Sequence, residues 1–165
     1  MGKEMQGVTG ALVMIDTIEG RSGTIEQWVA RFADLWSRGG ASPDDFMSLL
    51  GPEVRLIAPG LAPTEGREAG RIAFRRTFEA LPDLTAVVRS WAARDNVVFL
   101  ELRFRATIGA KAIEWPAVDR FVFENGEAIE RVIHFDRMPL RRAYLGSIQG
   151  LLQLWRMRRI RQRQP

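Results

Sequence analysis

The residues of this 165-residue chain that could carry out chemistry are carboxylates, arginines and one histidine. There is no cysteine, which excludes thiolate metal sites and cysteine nucleophiles, and the single histidine, His134, excludes paired-histidine chemistry. Asp119 lies among aromatic residues in an alternating segment, and Glu101 precedes Arg103 by two residues in another. An acid among aromatic rings has its pKa raised by desolvation, whereas a neighbouring arginine lowers it. These residue types indicate proton transfer rather than metal chemistry.

Helical patterns occupy the first half of the chain. An apolar stripe beginning at Thr24 predicts a helix over residues 24–37, with Thr24 as its N-cap and Gly39-Gly40 as its stop. Ser42-Pro43-Asp44-Asp45 predicts the start of a short second helix that ends near Gly51. A third helix is predicted over residues 67–81, after a brief strand at 54–58 and a loop at 59–66. Residues 1–23 show no sustained period, and we expect a flexible lead-in there.

In the second half of the chain, apolar and polar residues alternate with a period of two. Strands are predicted over residues 84–93, 97–107, 113–124 and 128–135. Asn125-Gly126, between two alternating segments, is typical of a tight hairpin turn. Helices followed by a meander of strands predict an α+β domain over residues 24–140, with the helices covering one face of an antiparallel sheet.

The last segment, residues 141–165, carries seven arginines and no acid, whereas residues 1–140 have a net charge of −3. Its apolar stripe predicts a basic amphipathic C-terminal helix, formed by Tyr144, Ile148, Leu151, Leu152 and Trp155. We expect this helix to pack on its own domain or on a dimer mate. Contact with an anionic membrane is less favoured, and nucleic-acid binding is not expected. The apolar run at residues 11–15 is too short for a signal sequence or a membrane span, so a cytoplasmic location is expected.

Residues 115–126 (WPAVDRFVFENG), together with Ile129-Glu130-Arg131 and residues 134–140 (HFDRMPL), resemble the closing hairpin of the SnoaL-like polyketide cyclases. This group belongs to the superfamily of ketosteroid isomerase and nuclear transport factor two. The resemblance covers residues 24–140 and implies a cone-shaped curved sheet wrapped around the N-terminal helices, a cystatin-like α+β barrel. It also implies a deep pocket for a small hydrophobic ligand. Members of the superfamily differ in reaction, so the resemblance specifies the fold better than the activity.

The resemblance gives two registers for the last strand. SnoaL-type cyclases use an aspartate there, and counting from Ile129 places His134 at that position. Counting from Gly126 or from Phe135-Asp136 places Ile133 there instead. Two anchors favour Ile133 and one favours His134, which would supply a base that titrates near neutral pH.

Two orientations are open for the strand at residues 97–107. As a one-sided antiparallel strand it would bury its apolar face and leave Glu101 and Arg103 in water. The resemblance instead turns Glu101 and Arg103 into the cone, which would leave the apolar face for a dimer partner. It also turns Asp119 inward, opposite Arg103. Asp119 would then be a structural ion-pair partner, a substrate-orienting group or a proton-transfer group.

We therefore expect a small-molecule pocket protein, with one alternative that it is a cofactor-free isomerase or cyclase acting by proton transfer on an apolar carbonyl compound. The alternative is a non-catalytic ligand-binding or dimeric interaction module. We expect neither a cofactor nor a metal, and we expect the protein to form a homodimer. The candidate acid/base residues are Asp119, Glu101 and His134. The candidate substrate-binding residues are Arg103, Trp115, Phe121, Ile133, Phe135 and Trp36.

Overall fold

A computed structural model describes residues 19–39 and 41–162, and the side chains of residues 25–39 and 41–156. The helices are α1 (Glu19–Arg38), α2 (Pro43–Met47), α3 (Arg67–Ala80), α4 (Met138–Leu145) and α5 (Ile148–Gln162). The strands are β1 (Leu50–Ile57), β2 (Thr64–Glu65), β3 (Thr85–Arg94), β4 (Val97–Ile108), β5 (Lys111–Glu124) and β6 (Glu127–Phe135). Residues 1–18 of the flexible lead-in predicted over 1–23 lie outside the described residues. Residues 19–23 belong to α1, so the prediction is wrong there.

The six strands form one curved, unclosed sheet in the order β2-β1-β6-β5-β4-β3, which confirms the predicted α+β fold. The meander from β3 to β6 is antiparallel, as predicted. β1 joins β6 in parallel, and β2 forms within the predicted loop; neither feature was predicted. The pairing of β1 with β6 joins segments far apart in sequence, which the local alternation of side chains does not encode.

The predicted hairpin turn between β5 and β6 is confirmed. Asn125 and Gly126 both have positive φ, 50° and 86°, as a two-residue turn matched to the twist of the strands requires. The turn pairs Glu124 with Glu127 and Phe123 with Ala128. The pairing then shifts by one residue, so that Val122 lies opposite Glu130 and Asp119 lies opposite Ile133.

The helices α1 and α3 pack on the concave face of the sheet. Trp36 of α1 lies 5.0 Å from the ring of Phe104 on β4, and Phe32 lies 5.2 Å from that of Phe121 on β5. α1 begins at Glu19, so Thr24 lies within the helix and the N-cap predicted there is wrong. The cap predicted for α2 is confirmed, since Ser42 and Asp45 form a reciprocal capping box.

The C-terminal segment forms two helices rather than the single predicted one. Tyr144 of α4 is buried in the core, but the rest of the predicted stripe, Ile148, Leu151, Leu152 and Trp155, is exposed. This part of the stripe therefore does not pack on its own domain, and its packing on a dimer mate, the other predicted alternative, stays a prediction. α5 contacts the domain through its other side, where Gln153 accepts a hydrogen bond from the Gly109 N–H and donates one to the Ala80 carbonyl. Within residues 19–162, none of the helices is both long and apolar enough to cross a membrane.

Candidate functional site

The inward face of β5 carries the candidate site. Trp115, Ala117, Asp119 and Phe121 alternate with outward residues and are all buried, so the orientation predicted for this strand is confirmed. Asp119 is 0% exposed in the middle of an otherwise apolar row. A carboxylate in such a position is costly unless a charged or hydrogen-bonding partner accompanies it.

The partner of Asp119 is Arg131 on β6. Nη2 of Arg131 donates to Oδ2 of Asp119 over 2.7 Å, and Arg131 is 7% exposed. Arg131 pairs with Phe121 and Ile133 pairs with Asp119 across the strands, so the two charged residues are diagonal neighbours on one face. Sequence reasoning missed Arg131. Side chains of a strand alternate between its two faces, so the register that places Ile133 inward also places Arg131, two residues earlier, inward. This alternation in the sequence could have identified Arg131.

Four aromatic rings surround the guanidinium of Arg131. Its Cζ lies 5.4 to 5.8 Å from the ring centroids of Phe32, Trp36, Phe74 and Phe121. These rings come from α1, α3 and β5, so three separate elements build one aromatic enclosure. The faces of aromatic rings attract a cation, and the attraction is stronger where water is excluded. The enclosure therefore shares with Asp119 the task of stabilising the buried positive charge.

Three polar atoms in this enclosure have no hydrogen-bond partner among the described residues. They are Oδ1 of Asp119, Nε of Arg131 and Nε1 of Trp36. Oδ1 of an ionised Asp119 is an acceptor, whereas the other two atoms each carry one N–H donor. Buried polar groups in proteins are nearly always satisfied, so each such atom requires an explanation. Two of the three atoms are therefore unpaired donors, and one is an unpaired acceptor.

The pKa of Asp119 is raised above its ordinary value of 3.8 because full burial disfavours the charged form. The charge of Arg131 and its hydrogen bond oppose this shift, and His134 adds a weaker opposing charge. A desolvated carboxyl group of this kind is a suitable proton acceptor if a substrate reaches its unpaired oxygen.

This shift predicts how stability depends on pH. Because the pKa of Asp119 is higher in the folded state, the folded chain keeps this proton to a higher pH than the unfolded chain does. The contribution of Asp119 to the free energy of unfolding is therefore most favourable below the unfolded pKa, and it declines as pH rises through the folded pKa. The stability of the wild type relative to the Asp119→Asn variant should therefore fall as pH rises from the ordinary pKa of 3.8 through the raised pKa of the folded state, as measured by urea unfolding at each pH.

Asp83 provides a control of opposite sign. Hydrogen bonds from the Thr107 side chain and backbone N–H lower the pKa of Asp83. Its contribution is therefore present above the unfolded pKa and is lost as pH falls through the folded pKa. Asp83→Asn should show a difference from the wild type that grows with pH. Equal slopes for the two variants would show that burial of Asp119 does not raise its pKa.

Glu101 and Arg103 do not point into the cone. Both are exposed on the convex face of the sheet, where Glu101 accepts a hydrogen bond from Ser90 Oγ over 2.9 Å and Arg103 lies opposite Pro116. The other face of β4 is buried against the helices and comprises Val98, Leu100, Leu102, Phe104 and Ala106. Burying this apolar row is strongly favourable, whereas burying the charges of Glu101, Arg103 and Arg105 on the opposite face is costly. The predicted Asp119–Arg103 pair is therefore wrong, because Arg131 occupies that role.

The two registers proposed for β6 are resolved in favour of Ile133. Ile133 is half-buried on the concave face opposite Asp119, whereas His134 is exposed on the convex face opposite Val118. His134 thus lies outside the interior that Asp119 occupies. Phe135 follows on the concave face opposite Ala117 and packs against the core. In the described ranges, no group of three or more acidic or histidine side chains is placed to hold a metal ion.

The orientation of β4 also removes the reason given for a homodimer. That expectation depended on an outward apolar face, and the face is buried within the chain. Phe99, Val118 and Val87 are exposed apolar residues among charged ones on the convex face. A homodimer stays a prediction that the single chain does not test.

Comparison with known proteins identifies the family of the chain. The profile of the SnoaL-like domain matches residues 29–131, from α1 through the arginine that binds Asp119. The chain belongs to the SnoaL-like family. This family assignment confirms the predicted resemblance. Among curated proteins, no sequence matches this SnoaL-like chain.

Solved structures share the fold of this SnoaL-like protein. One, described as a SnoaL-like polyketide cyclase from Jannaschia sp. CCS1, is 23% identical, with a TM-score of 0.64 over 73% of this chain and 91% of that one. A protein from Catenulispora acidiphila with a ketosteroid isomerase-like fold, solved in complex with trimethylamine, is 14% identical, with a TM-score of 0.62 over 68% and 88%. A protein described as a polyketide cyclase from Bacillus cereus is 16% identical, with a TM-score of 0.62 over 76% and 83%. At these identities the similarity establishes the fold.

Proposed function

We propose that this SnoaL-like protein binds a small, mostly apolar carbonyl compound in its interior, with the polar group of the ligand at Asp119 and Arg131. One observation carries the proposal: Asp119, Arg131 and Trp36 meet at the aromatic enclosure, and each has a buried polar atom without a hydrogen-bond partner among the described residues. Aromatic walls with a few well-placed polar groups are typical of small-molecule sites. The family, whose solved relatives include proteins described as polyketide cyclases, supports the same class of ligand.

The three atoms define which polar groups the ligand should carry. A carbonyl oxygen accepts hydrogen bonds from Arg131 Nε–H and Trp36 Nε1–H, and a neighbouring hydroxyl or enol donates to Asp119 Oδ1. The rings of Phe32, Phe74 and the indole of Trp36 contact the apolar part. A hydroxylated aryl ketone has this combination of groups, whereas a hydrocarbon of the same shape leaves the buried donors unpaired.

Proton transfer is the second candidate function, favoured by the unpaired Oδ1 of Asp119 and its raised pKa. In an isomerase or cyclase step, Oδ1 would take a proton from the carbon beside the carbonyl, and the two N–H donors would stabilise the resulting enolate oxygen. The ion pair with Arg131 opposes this role, because it stabilises the charged, less basic carboxylate. Ligand binding without turnover therefore accounts for the geometry best.

The proposal is tested with two matched ligands, 2-acetylnaphthalene and 2-ethylnaphthalene, which differ in the carbonyl oxygen. The wild type should bind the ketone about tenfold or more tightly than the hydrocarbon, because hydrogen bonds from a charged donor contribute about 1.5–3 kcal/mol. Trp36→Phe removes one donor and keeps a ring, so it should reduce this preference severalfold. Isothermal titration calorimetry measures the four affinities.

Trp91→Phe is the matched control, since Trp91 is partly exposed on β3 and should leave the preference unchanged. Equal affinity for the two ligands, or no binding of either, would contradict the proposed site. Proton NMR of 2-acetylnaphthalene in D2O separates the two functions, because its methyl protons exchange slowly without a catalyst. Exchange of these protons above the protein-free rate, lost in Asp119→Asn, would establish proton transfer. Binding without such exchange would establish the non-catalytic function.

A further inference from the structure

The two C-terminal helices expose a concentration of large apolar side chains that the candidate site does not use. Of the eleven exposed large hydrophobic residues among those described, six lie between residues 138 and 155, with exposures from 43% to 78%. We call them the C-terminal patch; they are Met138, Leu145, Ile148, Leu151, Leu152 and Trp155. A patch of this kind on a folded domain marks an interaction surface.

The contacts of α5 with the domain fix the direction in which the patch faces. Gln153 bridges the Gly109 N–H and the Ala80 carbonyl, and Leu154 packs against the core. At Gly109, where φ is +63°, an added Cβ would lie 2.8 Å from Ser147 Oγ, so the β4–β5 turn approaches the start of α5 closely. Since one side of α5 is held against the domain, Leu151 and Leu152 face away from it.

The sequence that carries the patch is strongly basic. Asp136, whose carboxylate accepts a hydrogen bond from the Met138 N–H, is the last acidic residue of the chain, and residues 137–165 carry eight arginines. Four of these arginines have described side chains, and all four are exposed: Arg137, Arg141, Arg142 and Arg156. The C-terminal helices therefore combine exposed apolar side chains with a net positive charge.

We propose that the C-terminal patch binds the surface of an anionic phospholipid membrane. Leucine and isoleucine side chains can enter the boundary between headgroups and acyl chains while arginines contact the lipid phosphates. The helix would lie on the membrane and not cross it, since no helix within residues 19–162 is suited to spanning. Packing against the same patch of a second copy would place two arginine-rich segments together, which their like charges oppose. A nucleic acid would satisfy the arginines but would leave the apolar residues in water.

Vesicle sedimentation tests the proposal with phosphatidylcholine vesicles and with vesicles containing about 30% phosphatidylglycerol. The full chain should bind the anionic vesicles at ~50 mM salt and bind much less at ~200 mM, and it should not bind the neutral ones. Leu151→Ser with Leu152→Ser should weaken binding about tenfold or more, because the apolar insertion is lost. Arg141→Gln with Arg142→Gln should weaken it severalfold.

Phe99→Ser is the matched control, since Phe99 is similarly exposed, at 45%, on the distant convex face of the sheet and should leave binding unchanged. Because all the substituted side chains are exposed, the melting temperatures should stay close to that of the wild type. Absence of binding to anionic vesicles would overturn the proposal, as would equal binding to neutral ones. If the protein binds a 20-nucleotide DNA and not vesicles, the patch belongs to a nucleic-acid site. If it binds no vesicles and forms a dimer that the double substitution Leu151→Ser, Leu152→Ser dissociates, the patch is a dimer interface. Either result would overturn the membrane proposal.

Discussion

Replacing Arg131 with methionine should lower the free energy of unfolding by about 3–5 kcal/mol, because Asp119 would be left as a buried charge without its partner. Methionine can fill the space among the four rings, so the loss of volume is small. The burial of both side chains and the 2.7 Å contact between them support this expectation. Urea unfolding at pH 7 measures the change.

The control for this prediction lies on the same two strands. Arg120 and Glu130 form an ion pair with the same N–O distance, 2.7 Å, but on the convex face, where both side chains are partly exposed. Arg120→Met should therefore cost at most about 1 kcal/mol. Asp119→Leu combined with Arg131→Met should restore most of the stability, since an apolar pair leaves no charge uncompensated. Equal losses for Arg120→Met and Arg131→Met would show that the interior pair is not desolvated.

Leu102→Ala should lower the free energy of unfolding by about 2–5 kcal/mol, because Leu102 is fully buried between β4 and the helices. Its neighbour Arg103 projects from the opposite face, and Arg103→Ala should change stability by less than about 0.5 kcal/mol. Thermal or urea unfolding of the two variants compares the two faces of one strand directly. A larger effect of Arg103→Ala would mean that the charged face of β4 is the interior one.

The sequence predicted the elements of this fold well because each has a strong local signal. The helix at residues 67–81 and the strands after Pro82 differ from the observed elements by at most two residues at each end. The Asn125-Gly126 turn predicted the last hairpin, but the one-residue shift of its register between Val122 and Phe123 was not predicted. The strand β2 has two residues and no periodicity, and the parallel pairing of β1 with β6 depends on tertiary contacts, so neither could be read from local patterns.

The site was predicted in part. Asp119 was predicted as an inward carboxylate among aromatic residues, with an ion pair to Arg103 as one of three possible roles. That pair is wrong, because it depends on the orientation of β4 that the family resemblance implies, whereas the alternation of β4 makes its apolar row the more favourable one to bury. Applying the same alternation to β6 from Ile133 places Arg131 on the face of Asp119. The aromatic enclosure, in contrast, joins α1, α3 and β5 and needed the folded structure.

In the proposed complex, the unpaired N–H donors of Trp36 and Arg131 hold the oxygen of a carbonyl ligand. A ¹H–¹⁵N correlation spectrum observes both donors directly, as the indole N–H of Trp36 and the Nε–H of Arg131. Titration with 2-acetylnaphthalene should shift both resonances to saturation with one dissociation constant, while 2-ethylnaphthalene should leave them nearly unchanged. If the ketone binds and neither resonance moves, the ligand occupies another site and the account is contradicted.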